Sequence, residues 1–249
     1  MIRGHCMTAL PLLLVPGLMC DHAVWEPLLP RLGYRRACTV VNHGSADSLK
    51  QMARQMLDAA PAQILLAGHS MGARVVLEAL RQAPDRIRGV ALLDTGYLPK
   101  FPGATGEEES RKRFALLKVA REQGVGVMAR AWVMGMVNRA RLDDDELIER
   151  IISMFERKSA DIFACQIKSL LDRPDGSDVL RAITVPTLVM CGRQDMWSPI
   201  TQHKAMQALA PCSELEVIED AGHMAPMERP DEVAHAIERW LARCDSLSA

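Results

Sequence analysis

Short apolar segments rich in aliphatic and β-branched residues alternate along this chain with longer segments in which apolar residues recur at helical spacing. This alternation is typical of a mostly parallel sheet covered by helices. Each short segment is bounded by turn residues or by a polar stretch. We predict strands at residues 10–15, 37–41, 63–67, 89–93, 187–191 and 214–218. An α/β fold with about six strands is therefore expected.

Helical patterns fill most of the space between these strands. We predict helices at residues 24–32, 47–59, 71–82, 200–209 and 231–242. In the last of them Val233, Ile237, Trp240 and Leu241 recur at i, i+4, i+7 and i+8, which gives the helix one apolar stripe that faces the core.

The alternation stops once, between Tyr97 and about Thr184, where helical patterns follow one another without a convincing strand. Three helix starts in this stretch carry capping signals, which are Thr105 with Glu108, Asp143 with Glu146, and Ser159. We therefore predict a core of residues 1–97 and 184–249, interrupted by a helical insertion at residues 98–183.

Composition and charge exclude some classes of partner. Lys and Arg number 30 against 31 Asp and Glu, which gives a formal charge of −1, and 49% of the residues are apolar. This is an ordinary globular composition. A near-zero charge offers no attraction for a phosphate backbone, and four Phe, four Trp and two Tyr leave few rings to stack on bases. We expect no nucleic-acid partner.

The seven cysteines are scattered, with no C-x-x-C pair and no Cys/His cluster at metal-ligand spacing. We expect no disulfide framework, no metal and no cofactor. No segment approaches the ~18 to 20 apolar residues that a membrane helix needs. These features favour a cytoplasmic protein with reduced thiols and no membrane partner.

The strongest chemical signal is the segment Gly68-His69-Ser70-Met71-Gly72, which directly follows a predicted strand and directly precedes a predicted helix. This is the G-x-S-x-G pattern in the strand–turn–helix context that it requires. The chain must reverse so tightly that small residues are needed on both sides of the serine. Ser70 is the candidate nucleophile, and the amide of Met71 faces the reacting centre at the start of the helix.

A serine hydroxyl needs a base, and the base needs an orienting carboxylate. His223 follows the last predicted strand, at the sheet edge where parallel strands end. Asp195 follows the preceding strand, and Asp94, which follows residues 89–93, competes for the orienting role. We favour Asp195 because it gives the chain order Ser, Asp, His.

The chain resembles the α/β-hydrolase superfamily, and specifically its capped, esterase-like members, over nearly its whole length. The segment Gly68-His69-Ser70-Met71-Gly72, which we call the elbow, carries this resemblance together with three further segments. These are Leu14-Val15-Pro16-Gly17-Leu18, Cys191-Gly192-Arg193-Gln194-Asp195, and Ala221-Gly222-His223 with Glu228-Arg229-Pro230. The resemblance implies that the insertion is a helical cap over the active site. It also implies an oxyanion hole formed by the backbone amides of Leu18 and Met71.

Some features depart from this family pattern. Pro16-Gly17 stands where many members have His-Gly, and Ala73 stands where a further glycine is common. Only nine residues precede Leu10, whereas the family usually opens with a hairpin, so we expect a shortened N-terminal edge of the sheet.

The expected reaction is hydrolysis of a small to medium carboxyl ester or thioester through an acyl-serine intermediate. Two alternatives stay open. A carbon–carbon bond hydrolase of a diketone uses the same triad on the same fold, although Met224 and Met227 stand where such enzymes often place Trp. A non-catalytic binder of a small molecule could also have this fold.

Overall fold

The computed structural model describes residues 9–34 and 36–247, and it contains a six-stranded, all-parallel sheet. The strands are β1 Leu12–Val15, β2 Cys38–Val40, β3 Ile64–His69, β4 Ile87–Leu93, β5 Thr187–Gly192 and β6 Ser213–Ile218. Their order across the sheet is β2-β1-β3-β4-β5-β6. The predicted α/β fold with about six strands is confirmed.

Helices connect the strands and cover the sheet. In the first half of the chain they are α1 Leu29–Leu32, α2 Leu49–Ala59 and α3 Met71–Gln82. After β5 they are α9 Ile200–Leu209, α10 Ala225–Glu228 and α11 Pro230–Ser246. The predicted stripe of α11 is buried, since Val233, Ile237 and Trp240 are fully inaccessible to solvent.

The helix predicted at residues 24–32 is wrong as a continuous element. The structure has 3₁₀ turns at His22–Val24 and Glu26–Leu28, followed by the single turn α1. Pro27 and Pro30 each lie in the first turn of a short element. Because a proline lacks the N–H that a helix interior needs, the pair divides the segment into short turns.

Between β4 and β5 the chain forms helices and no strand, in a stretch whose residues are all described. These helices are α4 Ala104–Glu122, α5 Val125–Val133, α6 Asp145–Glu156, α7 Ala160–Leu171 and α8 Ser177–Ala182. We refer to residues 98–183 as the insertion.

Of the three helix caps predicted in the insertion, the structure confirms one. Ser159 accepts a hydrogen bond from the Ile162 amide at 3.2 Å, as an N-cap residue does. The cap of α6 is Asp144 rather than Asp143. Thr105 lies inside the first turn of α4, because Gly103, with a φ of 68°, already begins the helix.

Among the described residues, no helix has both the length and the apolar character needed to cross a bilayer.

Candidate active site

Ser70 is the residue that joins β3 to α3, and its backbone is strained, with φ 54° and ψ −116°. A β-carbon on Gly68 would lie 2.5 Å from the α-carbon of Ala73, and one on Gly72 would lie 2.0 Å from the carbonyl oxygen of Val15. Neither site can hold a larger residue without a backbone shift. The two glycines therefore permit the tight turn that exposes the serine above the sheet edge.

His223, in the loop after β6, contacts two residues that lie 153 and 28 positions away along the chain. Its Nε2 is 2.8 Å from the Oγ of Ser70, and its Nδ1 is 2.8 Å from Oδ2 of Asp195. When Nδ1 carries the proton, the imidazole donates to the carboxylate and Nε2 accepts from the serine hydroxyl. The structure thus brings the three predicted residues into one hydrogen-bonded series.

Asp195 is buried and surrounded by donors. Its Oδ1 accepts from the backbone amides of Trp197 at 2.8 Å and Ser198 at 2.9 Å. Burial by itself raises the pKa of this carboxyl, but the neighbouring His223 and the two amides outweigh that effect and hold the pKa at about 2. The side chain is therefore a carboxylate at neutral pH.

Asp94, the competing orienter, lies nearby but faces other groups. Its Oδ1 accepts from the Gly192 amide at 2.8 Å, and its Oδ2 is 3.8 Å from Nε2 of His69. Burial, reinforced by the negative charge of Asp195, raises the pKa of Asp94 well above its ordinary value. The structure places Asp195, and not Asp94, on Nδ1 of His223.

Leu18 and Met71 border the same cavity as Ser70. Met71 is the first residue of α3, where a backbone N–H has no partner within the helix. Leu18 lies in the loop after β1, and its N–H donates to no group among the described residues. The next residue, Met19, has a φ of 61° and donates its N–H to Oε1 of Gln166 in α7 at 2.8 Å.

Two side chains that the sequence analysis did not single out hold the histidine loop. Oε1 of Glu228 accepts from the amides of Gly222 and Met224 at 2.9 and 3.1 Å, on either side of His223. Nε2 of His69 donates to the carbonyl oxygen of His223 at 2.8 Å. Burial lowers the pKa of His69 to about 3, so its ring is neutral. Glu228 lies in the segment Glu228-Arg229-Pro230 and His69 lies in the elbow. Neither sequence pattern predicts that these side chains hold the histidine loop.

The insertion also contacts the histidine loop. The His223 amide donates to the carbonyl oxygen of Met136 at 2.6 Å. The Asn138 amide donates to Oε2 of Glu228 at 2.8 Å. Burial raises the pKa of the Glu228 carboxyl, while these backbone donors act in the opposite direction. One buried carboxyl group therefore joins the insertion to the loop that carries His223.

Ser70 and His223 open into a cavity of about 790 Å³ between the sheet edge and the insertion. One part of its wall is aromatic. The ring of Trp197 lies 4.9 Å from the ring of His223, and Trp132 of α5 stacks on Trp197 at 5.6 Å. The cavity is large enough for a small organic substrate beside the serine.

No group of three or more His, Cys, Asp or Glu side chains within the described parts of the chain is arranged to hold a metal ion.

Comparisons of the sequence and of the structure with known proteins agree on one family. The family model described as "Alpha/beta hydrolase family" matches residues 12–236. The chain is 26% identical to a pimeloyl-[acyl-carrier protein] methyl ester esterase of Photobacterium profundum over 92% of this chain and 94% of that protein. It is similar in structure to a malate-bound thermophilic esterase of Thermogutta terrifontis, with a TM-score of 0.84, 30% identity, and coverage of 95% of this chain and 91% of that chain.

An enol-lactonase of Burkholderia xenovorans LB400 shares the fold, with a TM-score of 0.80, 20% identity, and coverage of 94% of this chain and 92% of that chain. The family model covers most of the chain, and the Thermogutta esterase matches nearly all of it. The chain belongs to the alpha/beta hydrolase family, and the Photobacterium and Thermogutta relatives, which each match more than nine-tenths of its length, are named esterases.

Proposed function

We propose that this chain is a serine hydrolase that cleaves carboxyl esters or thioesters, with Ser70 as nucleophile, His223 as general base and acid, and Asp195 as the orienting carboxylate. The observation that carries the proposal is the unbroken series from Asp195 through His223 to Ser70, with 2.8 Å at each step. A serine hydroxyl held in this way can lose its proton to the imidazole as it attacks a carbonyl carbon.

The proposed reaction has two halves. In the first, Ser70 Oγ bonds to the ester carbon while His223 takes its proton, and His223 then protonates the departing alcohol or thiol. In the second, His223 takes a proton from water, the water oxygen attacks the acyl group, and Ser70 leaves with that proton restored. The negative charge on the carbonyl oxygen is held by the amides of Leu18 and Met71. Loss of one such donor typically costs about 3 to 4 kcal/mol of barrier.

The helical insertion is proposed as the cap of this active site. The insertion supplies Trp132 to the cavity wall, and its Met136 carbonyl accepts a hydrogen bond from the His223 amide. The named activity of the Photobacterium relative, hydrolysis of a methyl ester, supports an ester with a small alcohol part as the substrate. The cytoplasmic location expected from the sequence stays a prediction.

The alternative of a carbon–carbon bond hydrolase uses the same three residues, and substrate panels discriminate it from an esterase. A non-catalytic binder would make no covalent bond with Ser70. Labelling of the serine therefore comes first.

The test uses a fluorophosphonate probe followed by short-chain p-nitrophenyl esters. We expect the wild-type protein to be labelled and to hydrolyse the esters, and Ser70→Ala to do neither. The control is Ser153→Ala, which removes an exposed serine of α6 and should retain both properties. Absence of labelling and turnover in the wild type, or full activity of Ser70→Ala, would overturn the assignment.

A further inference from the structure

Three arginines border the cavity that contains Ser70 and His223. Arg74 comes from α3, Arg113 from α4, and Arg173 from the turn after α7. Arginines are common on protein surfaces, but here their side chains are only partly exposed, with 25% exposure for Arg113 and 9% for Arg173. Three cations thus face a confined space rather than open solvent.

One carboxylate serves two of these arginines. Glu109 of α4 accepts from Nη1 and Nη2 of Arg173 at 2.7 and 2.8 Å. The same carboxylate lies 2.9 Å from Nη2 of Arg113. Lys112 also borders the cavity, but its side chain is exposed and has its own partner, Glu108. The single negative charge of Glu109 is therefore shared by Arg113 and Arg173, and it also acts on Arg74 without a direct ion pair.

Arg74 makes no ion pair with any described residue. Its Nη1 donates to the carbonyl oxygen of Leu98 at 3.0 Å, and Nε of Arg173 donates to that oxygen at 3.3 Å. Two guanidinium groups therefore converge on a single neutral acceptor. Burial, reinforced by the charge of Arg173, lowers the pKa of Arg74 to about 9, which still leaves it charged at neutral pH.

The arrangement leaves an excess of positive charge, three guanidinium groups against one carboxylate, in a partly desolvated wall. Such an excess is unfavourable unless an anion offsets it. The planar guanidinium presents paired donors that match the two oxygens of a carboxylate or of a phosphate group. The wall is thus suited to an anionic part of the substrate.

The position of Arg74 sets the distance between the positively charged wall and the ester bond that Ser70 would attack. Arg74 lies four residues after Ser70 on α3, which is about 6 Å along the helix axis. A β-carbon on Gly96 would lie 2.3 Å from Oε1 of Gln202 and 3.1 Å from Nη2 of Arg74, so the glycine allows both side chains to lie close to the backbone at the cavity wall. A ligand can therefore reach both groups within one cavity if several atoms separate its two ends.

We infer that the substrate of this site is an ester or thioester that carries a second, anionic group, a carboxylate or a phosphate, several atoms from the scissile carbonyl, and that Arg74 binds this group together with Arg113 and Arg173. The simplest member of this class is the half-ester of a dicarboxylic acid. This inference rests on the proposed function, because the cleaved ester must lie at Ser70.

The experiment compares kcat/KM for monomethyl adipate with kcat/KM for methyl hexanoate, which lacks the terminal carboxylate. We expect the wild type to prefer the half-ester by about tenfold or more, the size of one charge-assisted pair. The ratio of the two constants should fall by about tenfold in Arg74→Gln and in Arg173→Gln, mainly through KM. The control Arg130→Gln removes an exposed arginine of α5 that pairs with Glu149, and it should leave the ratio unchanged.

Competition separates the two sources of negative charge. Adipate and inorganic phosphate are each added to the hydrolysis of methyl hexanoate, and the stronger inhibitor identifies the preferred group. Inhibition that weakens in Arg74→Gln supports the inference. Hydrolysis of methyl hexanoate by a wild type with no preference for the half-ester overturns the inference and leaves the proposed function intact. Failure of both esters, with Ser70 unlabelled by the fluorophosphonate, overturns the proposed function instead.

Discussion

Two buried aspartates lie at the proposed active site, Asp195 within the triad and Asp94 beside it, and their surroundings shift their pKa values in opposite directions. Asp195 faces an imidazole and two backbone amides, and its pKa is held at about 2. Burial, reinforced by the negative charge of Asp195, raises the pKa of Asp94 well above its ordinary value, and the one backbone amide that Asp94 accepts acts in the opposite direction. The environment of each carboxyl, rather than its residue type, therefore decides which of the two more readily carries a negative charge.

Replacement of each aspartate by asparagine tests this difference. Asp195→Asn removes the carboxylate that orients Nδ1 of His223, and we expect kcat to fall by about 10³- to 10⁴-fold. Asp94→Asn keeps an oxygen that can accept from the Gly192 amide and replaces a carboxyl whose ionisation is already disfavoured. Its kcat should stay within about threefold of wild type, as for a neutral exchange that keeps its hydrogen bond. Ester hydrolysis at pH 7.5 measures both, and equal losses would contradict the assignment.

Elements rather than single residues hold the proposed site in shape. The loop that carries His223 is fixed by Glu228 at the end of α10, which accepts two amides of that loop and the Asn138 amide of the insertion. The loop that carries Leu18 is fixed from α7 through Gln166. Both loops thus depend on the insertion as well as on the sheet.

Glu228→Gln tests the support of the histidine loop. An amide has one accepting oxygen, so its nitrogen must face a backbone donor that Glu228 now satisfies. We expect about 1 to 3 kcal/mol lower stability to urea and a fall in kcat of about tenfold with little change in KM, because the base is misplaced. Glu219→Gln is the control, since Glu219 is exposed and pairs with Arg193 beyond β6. A lower stability with unchanged kcat would limit Glu228 to a structural role.

Gln166→Leu tests the support of the loop after β1. The substitution leaves the Met19 amide without its buried acceptor. This amide is adjacent to the proposed oxyanion donor Leu18. We expect kcat to fall by about tenfold or more, because loss of the donor itself costs about 100- to 1000-fold. Lys168→Gln on the same helix removes exposed ion pairs with Asp47 and Asp172 and should leave kcat unchanged. Stopped-flow measurement of acylation separates this effect from substrate binding.

The sequence predicts those parts of this architecture that depend on local patterns. The elbow around Ser70 is visible because sterics demand glycine at 68 and 72, and the strands are visible because buried parallel strands are continuously apolar. The spacing of apolar residues predicts one helix at residues 24–32, but Pro27 and Pro30 divide this segment into short turns. Gln166 accepts a hydrogen bond from the backbone amide of Met19, which is remote in sequence, and Glu228 accepts from backbone amides. Contacts of this kind leave no periodic pattern in the sequence, so the sequence does not predict these two roles. Asp195 could be preferred to Asp94 by chain order, but only the fold puts its carboxylate on His223.

At the scale of the whole molecule, burial keeps the rings of His43, His69 and His203 neutral within the described part of the chain. Burial lowers the pKa of His43 to about 4, of His69 to about 3 and of His203 to about 4. The unfolded chain takes up protons on these rings near their ordinary value of 6.5, whereas the folded protein does not. Between about pH 6.5 and pH 4 the unfolded state therefore binds more protons on these rings, and their contribution to stability falls as the pH falls.

Two buried carboxyls act in the opposite direction. Asp94 and Glu228 have raised pKa values, so the folded state keeps protons on them that the unfolded state has lost. Three histidines outnumber these two carboxyls, so among the five groups the balance favours lower stability in acid. We expect the free energy of unfolding to decrease from pH 6.5 to pH 4, as measured by urea titration at half-unit steps.

The substitution His43→Gln isolates the contribution of one histidine to the pH dependence of the free energy of unfolding. Nε2 of His43 donates to the carbonyl oxygen of Pro16 at 3.0 Å, and a glutamine amide can make the same bond. Without a titrating ring, the slope of unfolding free energy against pH should decrease by up to about 1.4 kcal/mol per pH unit between pH 4 and 6.5. The slope does not depend on the absolute stability of the variant, so a general loss of packing cannot imitate the effect. An unchanged slope in His43→Gln would mean that the folded protein protonates this ring as readily as the unfolded chain does, and that burial of neutral histidines does not set the acid limit of this fold.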